Sequence, residues 1–139
     1  MRLRLGVLTA ALWLGACAPN PYRTPSSVRD YDILIPGRDT LAVALTTAFQ
    51  QAGFRVRRQP RGGGPPPAAL IYYEFSPPGA AGPGASRWLS GRLYHARFGN
   101  LLAAATLSLD SLPPGAPERA RRLVEALLAV ADATSGDAR

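Results

Sequence analysis

The side chains able to do chemistry are few and widely spaced. The chain has one cysteine, Cys17, and one histidine, His95. A metal site needs several donors, and nucleophilic catalysis needs a nucleophile, a base and an orienting acid. His95 lies in a strand-like segment without such companions, so it reads as a surface or hairpin residue. Glu74, within Tyr72-Tyr73-Glu74-Phe75, falls on the solvent side of a predicted strand. Asp30 and Asp32 flank a first strand and read as exposed, so no carboxylate pair is placed for acid–base work. Gly62-Gly63-Gly64 cannot cradle a phosphate in the usual way, because Pro65-Pro66-Pro67 follows where a helix N-terminus would have to stand. We therefore expect no catalytic residue, no metal, no cofactor and no enzymatic activity.

Binding chemistry is better represented. Arg55, Arg57, Arg58 and Arg61 cluster at the end of one strand and the start of a loop. Guanidinium forks suit carboxylates and phosphates. The same charges would also protect an edge strand from aggregation. All sixteen basic residues are arginine, against nine acidic ones, giving a net charge of +7. Ala, Gly and Pro are abundant beside them, a joint compositional bias that discounts the pI near 10.7 as evidence for nucleic acid. No nucleic-acid motif or basic helix accompanies it, and we expect no nucleic-acid partner. Trp88, Tyr94, Tyr72 and Tyr73 would be either an aromatic docking patch or half-buried strand residues.

Cys17 carries the most specific signal. Arg2 and Arg4 precede ten residues, Leu5 to Leu14, without a charge. Spanning about 30 Å of hydrocarbon takes roughly 20 residues, so this stretch has the length of a signal-peptide core. It ends in Leu14-Gly15-Ala16-Cys17, which resembles the bacterial lipobox. The resemblance implies a diacylglycerol thioether on the cysteine, cleavage before it, and acylation such as palmitate on the freed amine. Ala18 in place of aspartate implies the outer membrane, on its periplasmic face. Ala16-Cys17-Ala18 also satisfies the small-residue pattern of ordinary secretory cleavage, which would leave a soluble product.

The elements that must position these residues follow from periodicity. Residues 1–16 read as the leader, 17–29 as a lipidated N-terminus and extended tether, 30–133 as one domain and 134–139 as a disordered tail. At about 3.1 Å per residue the proline-rich tether would reach roughly 35 Å from the lipid. Asp30 to Pro36 reads as a strand with Tyr31, Ile33 and Ile35 on one side. Asp39 caps a helix over Thr40 to Ala52, ended by Gly53, with Leu41, Ala44, Leu45, Ala48, Phe49 and Ala52 on one face. Phe54 to Arg58 alternates as a strand, with Arg55 and Arg57 outward. Ala68 to Phe75 reads as a central strand. Trp88 to Ala96 and Leu101 to Leu109 form a hairpin, with Leu101, Ala103, Ala105, Leu107 and Leu109 sharing a face. A last helix spans about 117–133; Ala120, Leu123, Val124, Leu127, Leu128 and Ala131 form its apolar stripe, and Arg119, Arg122, Glu125 and Asp132 its wet face. The order β-α-β-β-β-β-α predicts an α+β fold: a four- to five-stranded, mostly antiparallel sheet with two helices on one face.

The expectation is a lipid-anchored, non-catalytic protein of the bacterial envelope that binds another envelope component. Its element order is similar, at the level of topology, to lipopolysaccharide-assembly lipoproteins, which implies lipopolysaccharide contacts at Arg55, Arg57, Arg58 and Arg61. A peptidoglycan-binding tether and a lipoprotein of a conjugation or secretion machine fit the same features. A cell-wall hydrolase fits less well, for want of a second histidine or a Cys/His/Asp set.

Overall fold

The computed structural model describes residues 25, 27–60, 62, 66–77 and 86–136. The leader with Leu14, Gly15, Ala16 and Cys17, most of the tether, and Arg61 lie outside the described residues. After a 3-10 turn at Val28–Asp30, the elements are β1 (Asp32–Leu34), α1 (Thr40–Gln51), β2 (Val56–Arg57), β3 (Ala68–Phe75), β4 (Trp88–His95), β5 (Leu101–Ser108) and α2 (Ala116–Gly136). The five strands form one mixed sheet in the order β2-β1-β3-β4-β5, which makes β3 central as expected. Helix α1 carries the chain back so that β2 runs parallel to β1, and β3 is also parallel to β1. The antiparallel ladders are the long ones, with seven paired positions each for β3–β4 and β4–β5.

Local sequence explains α1 at both ends. The Asp39 carboxylate accepts the Ala42 N–H at 2.9 Å, capping the first turn. At the other end Gly53 takes φ +90°, a conformation costly for any residue with a Cβ. This lets Gly53 N–H reach Gln50 O and Phe54 N–H reach Phe49 O, both at 3.0 Å. That pair of bonds is a Schellman closure. The accompanying apolar contact is present too, with the Phe49 and Phe54 rings edge to face at 5.7 Å.

The core lies between the helices and one face of the sheet. Ile33, Ile35, Leu45, Phe49, Leu89, Leu93, Leu123 and Leu127 are all fully buried there. All six residues of the expected α2 stripe are buried. Helix α2 packs on α1, β4 and β5. Gly91 permits this approach: a Cβ at that position would lie 2.9–3.1 Å from three side-chain atoms of Leu123.

Several expectations need correction. The last residues of the tether fold back: Val28 joins the core, and Arg29 bridges to Asp132 at 3.3 Å. Strand β2 is only two residues long, because Phe54 is taken by the helix closure. Helix α2 continues past residue 133 to Gly136, with Thr134 and Ser135 hydroxyls bonded to Val130 O and Ala131 O. Arg119 is half-buried rather than wet. The single inward face expected for β5 is interrupted. Leu93 pairs with Ala103 but Tyr94 with Leu101, which leaves Leu102 as the extra residue of a bulge. Leu102 therefore packs against the core, while Leu101 is 53% exposed.

Candidate functional site

The strand register assigns the side chains to two faces. Ala69, Ile71 and Tyr73 of β3 pair with His95, Leu93 and Gly91 of β4, and these face the helices. Leu70, Tyr72 and Glu74 pair with Tyr94, Arg92 and Ser90, and these occupy the opposite face. Trp88, Asp32 and Arg57 fall on that face by the same alternation. Tyr72 is 51% exposed there, with Trp88 and Tyr94 half-buried around it. Glu74 and Arg92 meet diagonally at 3.4 Å. The helix-free face thus gathers three aromatic rings, an exposed ion pair and the Ser90 and Thr106 hydroxyls, 3.3 Å apart.

The arginine cluster is divided by the fold. The Arg57 guanidinium pairs with the Asp32 carboxylate, and the two side chains are only 16% and 6% exposed. Asp32, expected to be exposed, is a buried acid, and Arg57 is its counter-charge rather than part of an open patch. Arg55 and Arg58 remain exposed. The physical reason is register. Asp32 and Arg57 lie diagonally on the same face of adjacent parallel strands, a proximity that no local pattern encodes.

Tyr73 leaves the aromatic patch as well. It lies on the helix side, and its hydroxyl donates to Asp39 Oδ2 at 2.5 Å. The bond from Tyr73, with that from the Ala42 N–H, holds the Asp39 carboxyl below its ordinary pKa. Burial, then Asp39, pushes the Tyr73 phenol up. The N-cap of α1 is thereby tied to the central strand. The depressed Asp39 pKa adds stability that is present above its unfolded value near 4 and lost as pH falls through the folded value. The raised Tyr73 pKa adds stability that is complete below about 10 and lost as pH rises through its folded value. Tyr73→Phe is expected to cost about 1 kcal/mol at neutral pH and less in acid, once the Asp39 carboxylate, held below its ordinary pKa, takes up its proton. Urea unfolding at neutral and acid pH checks this; an equal loss at both would mean that the ring, not the bond, matters.

His95 is a hairpin residue, but a buried one. Its Nδ1 accepts the backbone N–H groups of Arg97 and Phe98 at 3.1 and 3.4 Å, and Tyr31 and Phe98 flank its ring. That lone pair is occupied in holding the turn between β4 and β5. Among the described residues no three of His, Cys, Asp and Glu lie together so as to hold a metal, and no helix is long and apolar enough to cross a membrane.

Two features escaped the sequence. One is the pairing of Glu74 with Arg92 on the face that Trp88, Tyr72 and Tyr94 share, which depends on strand register. The other is a shallow cleft of about 520 Å³ beside β5, lined by Leu107, Leu112, Pro113 and Ala126 together with Arg122 and Glu125. The charge-free run Leu101-Leu102-Ala103-Ala104-Ala105-Thr106-Leu107-Ser108 was the available signal for an unusual edge. The buried acid Asp32 has its counter-charge in Arg57, and the histidine Nδ1 is engaged by the turn. No protein-family model, curated protein or solved structure matches this chain.

Proposed function

We propose that this chain is a lipid-anchored, non-catalytic accessory protein of the bacterial envelope whose folded domain binds another envelope component. The observation that carries the reading is Leu14-Gly15-Ala16-Cys17 directly behind a ten-residue stretch without charge. A thioether lipid on Cys17, with cleavage before it, places the domain on the periplasmic face of the outer membrane, Ala18 being the sorting residue. The paired charges and surface rings of the domain support binding rather than turnover. Recognition of lipopolysaccharide by four arginines draws less support, since Arg57 is engaged by Asp32.

Density-gradient separation of envelopes from an expressing diderm bacterium tests the reading. The protein is expected in the outer-membrane fraction and to resist extraction by high salt. Recovery in the soluble periplasm would overturn the anchor. In-cell crosslinking then reads the partner: charge reversal at Arg55 and Arg58 removes a crosslinked species if those arginines face it.

A further inference from the structure

We propose that the outer edge of β5 and the cleft beside it form a docking site for an extended, uncharged peptide strand. This specifies the partner left open above, but it does not depend on the lipid.

The edge is the first observation. Strand β5 ends the sheet, and among the described residues no strand pairs with its outer side. Its eight residues contain no charge and no proline. Proteins ordinarily blunt an exposed edge with lysine, proline, a bulge or a cover. Among the described residues the one such device here is the bulge at Leu102, close to the hairpin end. The direction of the backbone groups follows from one bond: the Leu109 N–H donates to Arg87 O of the preceding arm at 2.8 Å. In an antiparallel ladder the polar groups of alternate residues point to opposite sides. The N–H and C=O groups of Ala104, Thr106 and Ser108 therefore point outward, at the spacing an added strand requires.

The cleft is the second, independent observation. It runs between β5 and α2 on the helix side of this edge. A strand added to β5 would turn every second side chain toward it. Arg122 and Glu125 at its wall are joined to each other at 3.5 Å, and Glu118 and Arg121 complete that network. The wall has no unbalanced charge to offer, whereas Leu107, Leu112, Pro113 and Ala126 offer apolar contact. The chemistry selects a neutral, apolar side chain at alternate positions. Backbone bonding would supply affinity and the cleft would supply selectivity. The opposite edge is a poor rival, since β2 has two residues and one of them is Arg57.

The test titrates the detergent-extracted full chain with a capped, fluorescein-labelled octapeptide of alternating threonine and valine, read by anisotropy. The control is the same peptide with N-methyl groups on alternate amides; it is equally apolar but cannot pair along that edge. The unmodified peptide is expected to bind at least about tenfold more tightly. Thr106→Pro, which removes an outward N–H, is expected to abolish that difference. Ala126→Glu, which charges the cleft and leaves the edge intact, should weaken the valine peptide and favour one carrying lysine. Equal binding of both peptides to the folded wild type overturns the proposal. So does sedimentation as a dimer that Thr106→Pro dissociates, since the occupant would then be a second copy. The Cys17→Ala chain should bind the peptide as the wild type does, so failure of the anchor and failure of this site are separable.

Discussion

Asp32→Ala is expected to lower the melting temperature by on the order of 12–24 °C. The argument starts from burial. Asp32 and Arg57 face each other with little solvent, at 6% and 16% side-chain exposure. Removing the acid leaves a largely desolvated guanidinium with no counter-charge. Breaking a buried pair from one side costs about 3–5 kcal/mol, and residual solvent access at Arg57 argues for the lower end. At roughly 4–8 °C per kcal/mol for a small domain, this gives the stated shift. The double replacement Asp32→Leu with Arg57→Met should recover most of the loss, because a well-packed apolar pair avoids the desolvation penalty altogether. An unchanged melting temperature in Asp32→Ala would show that water reaches the pair freely and that Arg57 belongs with the open cluster after all. The same reasoning bears on binding experiments. Effects of Arg57 substitutions on a partner must be separated from loss of the folded domain, whereas Arg55 and Arg58 are exposed and report on contacts alone.

The other large effect is expected at Cys17. In Cys17→Ala, labelling by radioactive palmitate should fall to background and the protein should leave the membrane fraction. The effect should be all or none. Each buried methylene contributes about 0.8 kcal/mol, and one myristoyl chain holds a protein only marginally. Two or three chains at a single residue make a lasting anchor, and loss of the thiol removes the acceptor on which their attachment depends. The stretch Leu5 to Leu14 cannot substitute, since ten residues fall short of the roughly 20 needed to span the hydrocarbon. Undiminished labelling in the variant would sink the anchor reading and leave the small-residue cleavage at Ala16-Cys17-Ala18 as the better account of the leader.

Much of the architecture was legible because its causes are local. The Asp39 cap, the apolar spacing of Leu41, Leu45 and Phe49, and Gly53 all act within a few residues, and α1 appears where they place it. The α2 stripe and the β-rich run Ala68 to Phe75 are periodic signals of the same kind. The proposed lipobox is local as well, a run of four residues. The site was less legible. Nothing around Asp32 announces a partner 25 positions later, and nothing around Tyr73 points to the cap of α1. Leu101 and Leu102 are identical in type, and only the ladder with β4 decides which one turns inward.

The sequence by itself therefore determined the element order and the inward faces of both helices, because each depends on neighbours within one or two turns of chain, and it alone carries the proposal for Cys17. The tertiary structure alone decided that Arg57 neutralises Asp32, that His95 pins a turn, that Tyr72, Trp88 and Tyr94 share the helix-free face, and that β5 stands at an open edge beside a cleft. Those outcomes depend on strand order and register, which bring together groups far apart in the chain; one step of slippage would send every side chain to the other face.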